Sequence, residues 1–93
     1  MTKADIIDEV SELTGLTKVE TEAVFEGVIL TISNALKRQD SVDIRGFGSF
    51  QVKKRKARDA RNPATQELLR LKERYVPVFK VSNLLKEQIN KNI

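Results

Sequence analysis

The chain has 93 residues, with 17 Lys and Arg against 13 Asp and Glu and a net charge of +4, which is one domain's worth of mildly basic protein. It holds no His, Cys or Trp. Imidazole bases, thiol nucleophiles, disulfides and the commonest metal ligands are thereby excluded, and a reducing, cytoplasmic compartment is the expectation. Apolar runs such as Val28-Ile29-Leu30 are too short to cross a membrane, and no signal peptide is expected at the N-terminus.

In chain order, Thr2-Lys3-Ala4-Asp5 sets a hydroxyl at a helix start with a carboxylate three residues on. Ile6, Ile7, Val10 and Leu13 recur at helical spacing, with Asp5, Asp8, Glu9 and Glu12 opposite, and Gly15 stands where a C-terminal cap belongs. The spacing predicts a helix over residues 3–14. Thr17-Lys18-Val19-Glu20 is a second capping box and opens a longer helix. Its apolar residues, Val19, Ala23, Val24, Phe25, Val28, Ile29, Leu30, Ile32, Ala35 and Leu36, cover two adjoining faces, wider than one buried stripe. Roughly 70 residues outside the cationic segment described below make a small core without metal or disulfide. The second helix is therefore expected to pack against its copy in a dimer; a monomer with that helix under its own sheet is the alternative.

Past Gln39-Asp40 the period becomes two. Val42 and Ile44 alternate with Asp43 and Arg45, Gly46-Phe47-Gly48 makes a turn with an aromatic between two flexible positions, and Phe50 and Val52 resume the alternation. Tyr75-Val76-Pro77-Val78-Phe79 is a third strand, in which Pro77, lacking an amide hydrogen, belongs at an edge or bulge. Ser82 caps a last helix with Leu85 and Ile89 on its apolar side and Leu84 nearby. The fold class is α+β: a helical base for dimerisation over 1–40, strands over 41–52 and 75–81, an arm over 53–74 and a C-terminal helix over 82–93.

The charge is concentrated in one place. Residues 53–75 hold nine cations (Lys53, Lys54, Arg55, Lys56, Arg58, Arg61, Arg70, Lys72 and Arg74) and three anions, Asp59, Glu67 and Glu73. That segment nets +6 on a body of −2, an asymmetry that points to a polyanion, of which nucleic acid is the commonest. Asn62-Pro63-Ala64-Thr65 is its turn signal. Folded there, the arm is a ribbon about 30 Å long. Only Leu68, Leu69 and Leu71 are strongly apolar along it, so the free ribbon is expected to be mobile and to order on its target. Such a ribbon suits a groove of duplex DNA, neutralising phosphates on either wall with weak sequence preference. At its tip Pro63 is a rigid, compact wedge of the kind minor-groove proteins insert between base steps; the plain alternative is a turn former.

These residues carry a resemblance. Gly46-Phe47-Gly48-Ser49-Phe50, then Arg55, Arg58, Arg61-Asn62-Pro63 and Thr65, with Val76-Pro77 and Phe79-Lys80 on the return strand, resemble the signature of the bacterial HU and integration host factor family, and overall the chain is closest to HU. The likeness runs through essentially the whole chain. It implies an intertwined dimer with an α-helical base, a three-stranded antiparallel saddle per subunit, a long β-ribbon arm and a short C-terminal helix. It further implies DNA contacts from Lys53, Arg55, Arg58, Arg61, Asn62, Pro63, Arg70, Lys72, Arg74, Lys80, Ser82 and Lys86, with Pro63 intercalating and Phe47, Phe50 and Phe79 in the aromatic centre of the dimer. The chain departs from the pattern where the family usually has glycine, at Ala60 and Gln66, and in opening the last helix with Ser82-Asn83. Gln66 takes a positive φ less readily than glycine.

The expected partners are double-stranded DNA, above all bent, nicked or flexible duplex, and a second copy or a paralogue; no cofactor, metal, membrane or small-molecule substrate is expected. An enzyme is disfavoured, because the only carboxylate cluster, Asp5, Asp8, Glu9 and Glu12, reads as a solvated helix face. A single-strand binder would need exposed aromatic platforms, whereas the Phe residues read as buried.

Overall fold

The computed structural model describes residues 1–91; the last two positions of the helix expected over 82–93 lie outside the described residues. The chain divides into two compact units, Met1–Ala35 and the remainder from Leu36 on.

The first unit is helical, with α1 at Lys3–Thr14 and α2 starting at Lys18 and running to Lys37. Both capping boxes form. The Asp5 N–H donates to Thr2 Oγ1 at 3.3 Å while the Thr2 N–H donates to Asp5 Oδ2 at 2.8 Å. At the next start, the Glu20 N–H donates to Thr17 Oγ1 and the Thr17 N–H to Glu20 Oε1, both at 3.1 Å. Each pair satisfies amides that a helix start would otherwise leave unbonded. Gly15 ends α1 at φ 77°, its N–H donating to the Ser11 carbonyl, a conformation that favours glycine. The buried Thr21 hydroxyl donates to the Thr17 carbonyl at 2.8 Å, so its burial leaves no orphan.

The second unit contains β1 (Val42–Ile44), β2 (Gly48–Arg55), β3 (Arg58–Arg61), β4 (Leu68–Leu71), β5 (Arg74–Val81) and α3 (Asn83–Lys91). A three-stranded antiparallel sheet has the order β1-β2-β5, and β3 and β4 make a separate two-stranded ribbon. Pro77 sits opposite Val52 on the edge strand β5, where its missing donor is tolerated. The β2–β5 ladder runs from Gly48↔Val81 to Arg55↔Arg74, past residue 52 where the saddle was expected to stop. The arm is therefore not one continuous ribbon: pairing lapses at 56–57 and 72–73 and resumes at Arg58↔Leu71.

One expectation for the Gly46-Phe47-Gly48 turn needs correction. Gly48 is buried inside a strand, so it is required for space and not for flexibility; only Gly46, at φ 84°, uses glycine's backbone freedom in that turn. Phe47 and Phe79 are 46% and 43% exposed in the single chain, so the burial expected of them is not supplied by this chain alone. The three rings still cluster, with Phe79 centred 5.3 Å from Phe47 and 4.9 Å from Phe50. Among the described residues Ile7 and Ala35 are the only buried apolar side chains, while Val24, Val28, Ile29 and Leu30 of α2 stay exposed.

Candidate nucleic-acid interface

Strand alternation decides which cations act together. Residues directly opposite in an antiparallel pair share a face. On the three-stranded sheet, Ser49, Gln51, Lys53 and Arg55 of β2 therefore share one face with Lys80, Val78, Val76 and Arg74 of β5. The opposite face carries Phe50, Val52 and Lys54 with Phe79, Pro77 and Tyr75. Lys53, Arg55, Arg74 and Lys80 thus stand together on the polar side, back to back with the aromatic one.

The β3–β4 ribbon divides its charges differently. Arg58 and Ala60 share a face with Leu71 and Leu69; Asp59 and Arg61 share the other with Arg70 and Leu68. Arg58 and Arg61, both expected to line the groove, lie on opposite faces of the ribbon. Arg70 Nε lies 3.7 Å from Asp59 Oδ1, directly across the ladder. Lys54 Nζ is paired with Glu73 at 2.8 Å, so the sequence-level count of arm cations overstates the free ones. Between the two ladders, Arg55, Lys56, Arg58 and Arg74 border one open hollow, and Lys72 lies at a second beside Arg58 and Arg70. That crowding of like charge, with no ladder hydrogen bonds at 56–57, favours a counter-anion over a closed sheet.

The tip is built on Asn62. Its N–H donates to the Glu67 carbonyl at 3.0 Å, its carbonyl accepts from the Gln66 N–H at 2.7 Å, and its side-chain Oδ1 accepts from the Ala64 N–H at 2.9 Å. Pro63, Ala64, Thr65 and Gln66 are all exposed, and Gln66 adopts φ 62°. Asn62 therefore organises the turn and presents Pro63 outward.

At the far end of β5, Ser82 joins α3 to the β1–β2 turn. Its hydroxyl donates to the Gly46 carbonyl at 2.9 Å and accepts from the Leu85 N–H at 3.1 Å, and its own N–H donates to the Phe47 carbonyl. The hydroxyl proton is thus committed within the chain, and what this corner offers an anion is the helix start itself with Lys80 beside it. Lys86 is exposed on α3. Gln51, half-buried with its amide donating to Ser49 Oγ at 3.4 Å, belongs to the cationic face and escaped the sequence reading; the two-residue alternation from Ser49 to Arg55 was the available signal.

The two units differ sharply in charge. The first holds two cations and seven anions, the second fifteen cations and six anions. Both cations of the first are ion-paired: Lys3 Nζ lies 2.6 Å from Glu26 and 3.9 Å from Glu22, and Lys18 Nζ lies 3.3 Å from Asp8. The hydrogen bond to Glu26 raises the Lys3 pKa above its ordinary value. The hydrogen bond from the Thr17 side chain lowers that of Glu20. Among the described residues no group of carboxylates could hold a metal ion, and no helix is long and apolar enough to cross a membrane.

Residues 1–90 match the family described as Bacterial DNA-binding protein. DNA-binding protein HU of Thermus thermophilus is 36% identical over 91 residues, covering 98% of this chain and 94% of that one. Integration host factor subunit alpha of Myxococcus xanthus is 43% identical over 90 residues, covering 97% of this chain and 70% of the subunit. Among solved structures, HU in an Anabaena HU–DNA cocrystal superposes with a TM-score of 0.87 at 37% identity, covering 96% of this chain and 97% of that one.

Proposed function

The chain belongs to the bacterial DNA-binding protein family of HU and the integration host factor subunits, histone-like nucleoid proteins that are not enzymes, and on that premise we propose that it is a dimeric protein that bends and compacts duplex DNA with little sequence preference in the bacterial nucleoid. The observation that carries the proposal is the exposed β3–β4 ribbon, rich in Arg and ending in an outward Pro63. Two such arms, one from each subunit, enter the minor groove and neutralise phosphates through Arg55, Arg58 and Arg61. Pro63 enters a base step, unstacks it and kinks the duplex, a use of proline wedges characteristic of HU and integration host factor. The cationic sheet face with Lys53, Arg74 and Lys80, and the α3 start with Lys86, carry the DNA between the arms.

The second subunit is supported by what one chain leaves uncovered. Two buried apolar side chains among the described residues are far too few to hold a chain of this length, and Phe47 and Phe79 in one unit and, separately, the exposed apolar residues of α2 in the other are what a copy, or a paralogue, covers. Sequence tolerance follows from reading by phosphate and wedge, since the minor groove offers a degenerate pattern of base edges.

The experiment is a binding series on straight, nicked and gapped duplexes at one salt concentration, paired with end-to-end fluorescence transfer. Pre-flexed duplex binds tighter because deformation costs less there. Pro63→Ala lowers the bend angle more than the affinity. Equal affinity for all three duplexes, or an unchanged angle in the variant, would remove the bending mechanism and leave a plain turn at the tip.

A further inference from the structure

Gln66 is the one residue of the arm held in the left-handed backbone region, at φ 62°. We infer that Gln66 is a positioning residue that keeps the closed tip loop only partly populated in the free protein, so that the arm binds DNA more weakly than its contacts alone allow. The inference rests on the DNA-binding reading and adds to it a control point that no groove contact supplies.

Two observations carry it. Gln66 must adopt this conformation to close the loop, because its N–H then reaches the Asn62 carbonyl at 2.7 Å and the chain turns back so that the Glu67 carbonyl meets the Asn62 N–H at 3.0 Å. An L residue in that region sets Cβ against the following carbonyl oxygen, and glutamine's side chain is too long for the local hydrogen bonds that ease asparagine into it. Beyond these backbone bonds, the loop has no buried packing to enforce the conformation. Pro63, Ala64, Thr65 and Gln66 are exposed, and the remaining bonds, from the Ala64 N–H to Asn62 Oδ1 at 2.9 Å and from the Glu67 N–H to Thr65 Oγ1 at 3.4 Å, compete with water. A strained conformation persists only where its surroundings over-determine it, and here they do not. The loop exchanges between closed and open forms, and only the closed form sets Pro63 at the apex between Arg61 and the return strand. Apparent affinity scales with the fraction closed.

The test compares Gln66→Gly, Gln66→Asn and Gln66→Ala in the full-length protein on a nicked duplex, reading affinity and association rate. Amide hydrogen exchange at Ala64 and residue 66 is followed without DNA. Affinity ranks by tolerance of the left-handed region: Gly above Asn above Gln, with Ala equal to Gln. The glycine variant gains roughly threefold to tenfold, chiefly in association rate, and its tip amides exchange more slowly. A glycine variant no tighter than wild type, or an alanine variant clearly weaker than wild type, overturns the inference, the latter by making the Gln66 amide a DNA contact. Failure of every protein to bind any duplex overturns the DNA-binding reading instead, and the exchange ranking, which needs no DNA, then still decides the claim about the loop.

Discussion

Gly48 lies so close to Phe79 that a Cβ built on it would stand 2.6 Å from the ring Cζ and equally close to the Lys80 carbonyl oxygen. The second contact is backbone, fixed by the β2–β5 ladder, so a side chain at 48 cannot be accommodated by a rotamer change. Gly48→Ala is expected to lower unfolding stability by about 1–3 kcal/mol, as overpacking does in a well-packed site. Chemical denaturation with the slope held common to both proteins measures it. An alanine variant as stable as wild type would mean that the ring and strand move aside freely.

Phe47 and Phe79 are expected to be covered by the second subunit. The melting temperature of the wild type should then rise with protein concentration, and Phe47→Ala should shift the chain toward monomer with a loss of about 3–5 kcal/mol, typical of deleting a buried ring. Thermal melts over a concentration series check the first and sedimentation equilibrium the second. A wild type that stays monomeric at high concentration would refute the dimer.

Asp59 is the anion that dilutes the ribbon's field, and Arg70 is the cation it holds at 3.7 Å. Both are exposed, so the pair contributes little to ribbon stability. Asp59→Asn should strengthen DNA binding several-fold at low salt and steepen the slope of log affinity against log salt by about one, since Arg70 is freed for phosphate. Arg58→Ala and Arg61→Ala should each flatten that slope by about one, although they lie on opposite ribbon faces, if both walls of a groove are contacted. A slope insensitive to all three would place the phosphates elsewhere.

The Thr17–Glu20 capping box supplies a pH signature. Its hydrogen bonds hold the Glu20 pKa below the ordinary 4.5, so the folded state binds that proton less readily than the unfolded chain. The stabilisation is complete above the ordinary value and is lost as pH falls through the lowered one. Glu20→Gln should lower stability at neutral pH and flatten its fall on acidification over that window, read by thermal melts at a series of pH values. Parallel profiles for variant and wild type would exclude the box as the cause.

Local spacing alone determined a great deal here. Thr2, Thr17 and Ser82 mark helix starts, Gly15 an end and Pro77 an edge strand, because caps, left-handed residues and a missing amide act over a few residues of chain and need no partner from elsewhere. The cationic arm and its Asn62-Pro63 tip were equally legible, since charge and turn chemistry are written in the residues themselves. Tertiary structure decided the rest. That Arg58 and Arg61 face apart follows from pairing to Leu71 and Leu68; that Lys54 and Arg70 are partly neutralised depends on strands brought together across the turn. Gly48's steric role exists only once Phe79 lies against it, and the exposure of Phe47 and Phe79 depends on how much surface one chain can cover. Register and packing join residues far apart in sequence, so no pattern within a single stretch contains them.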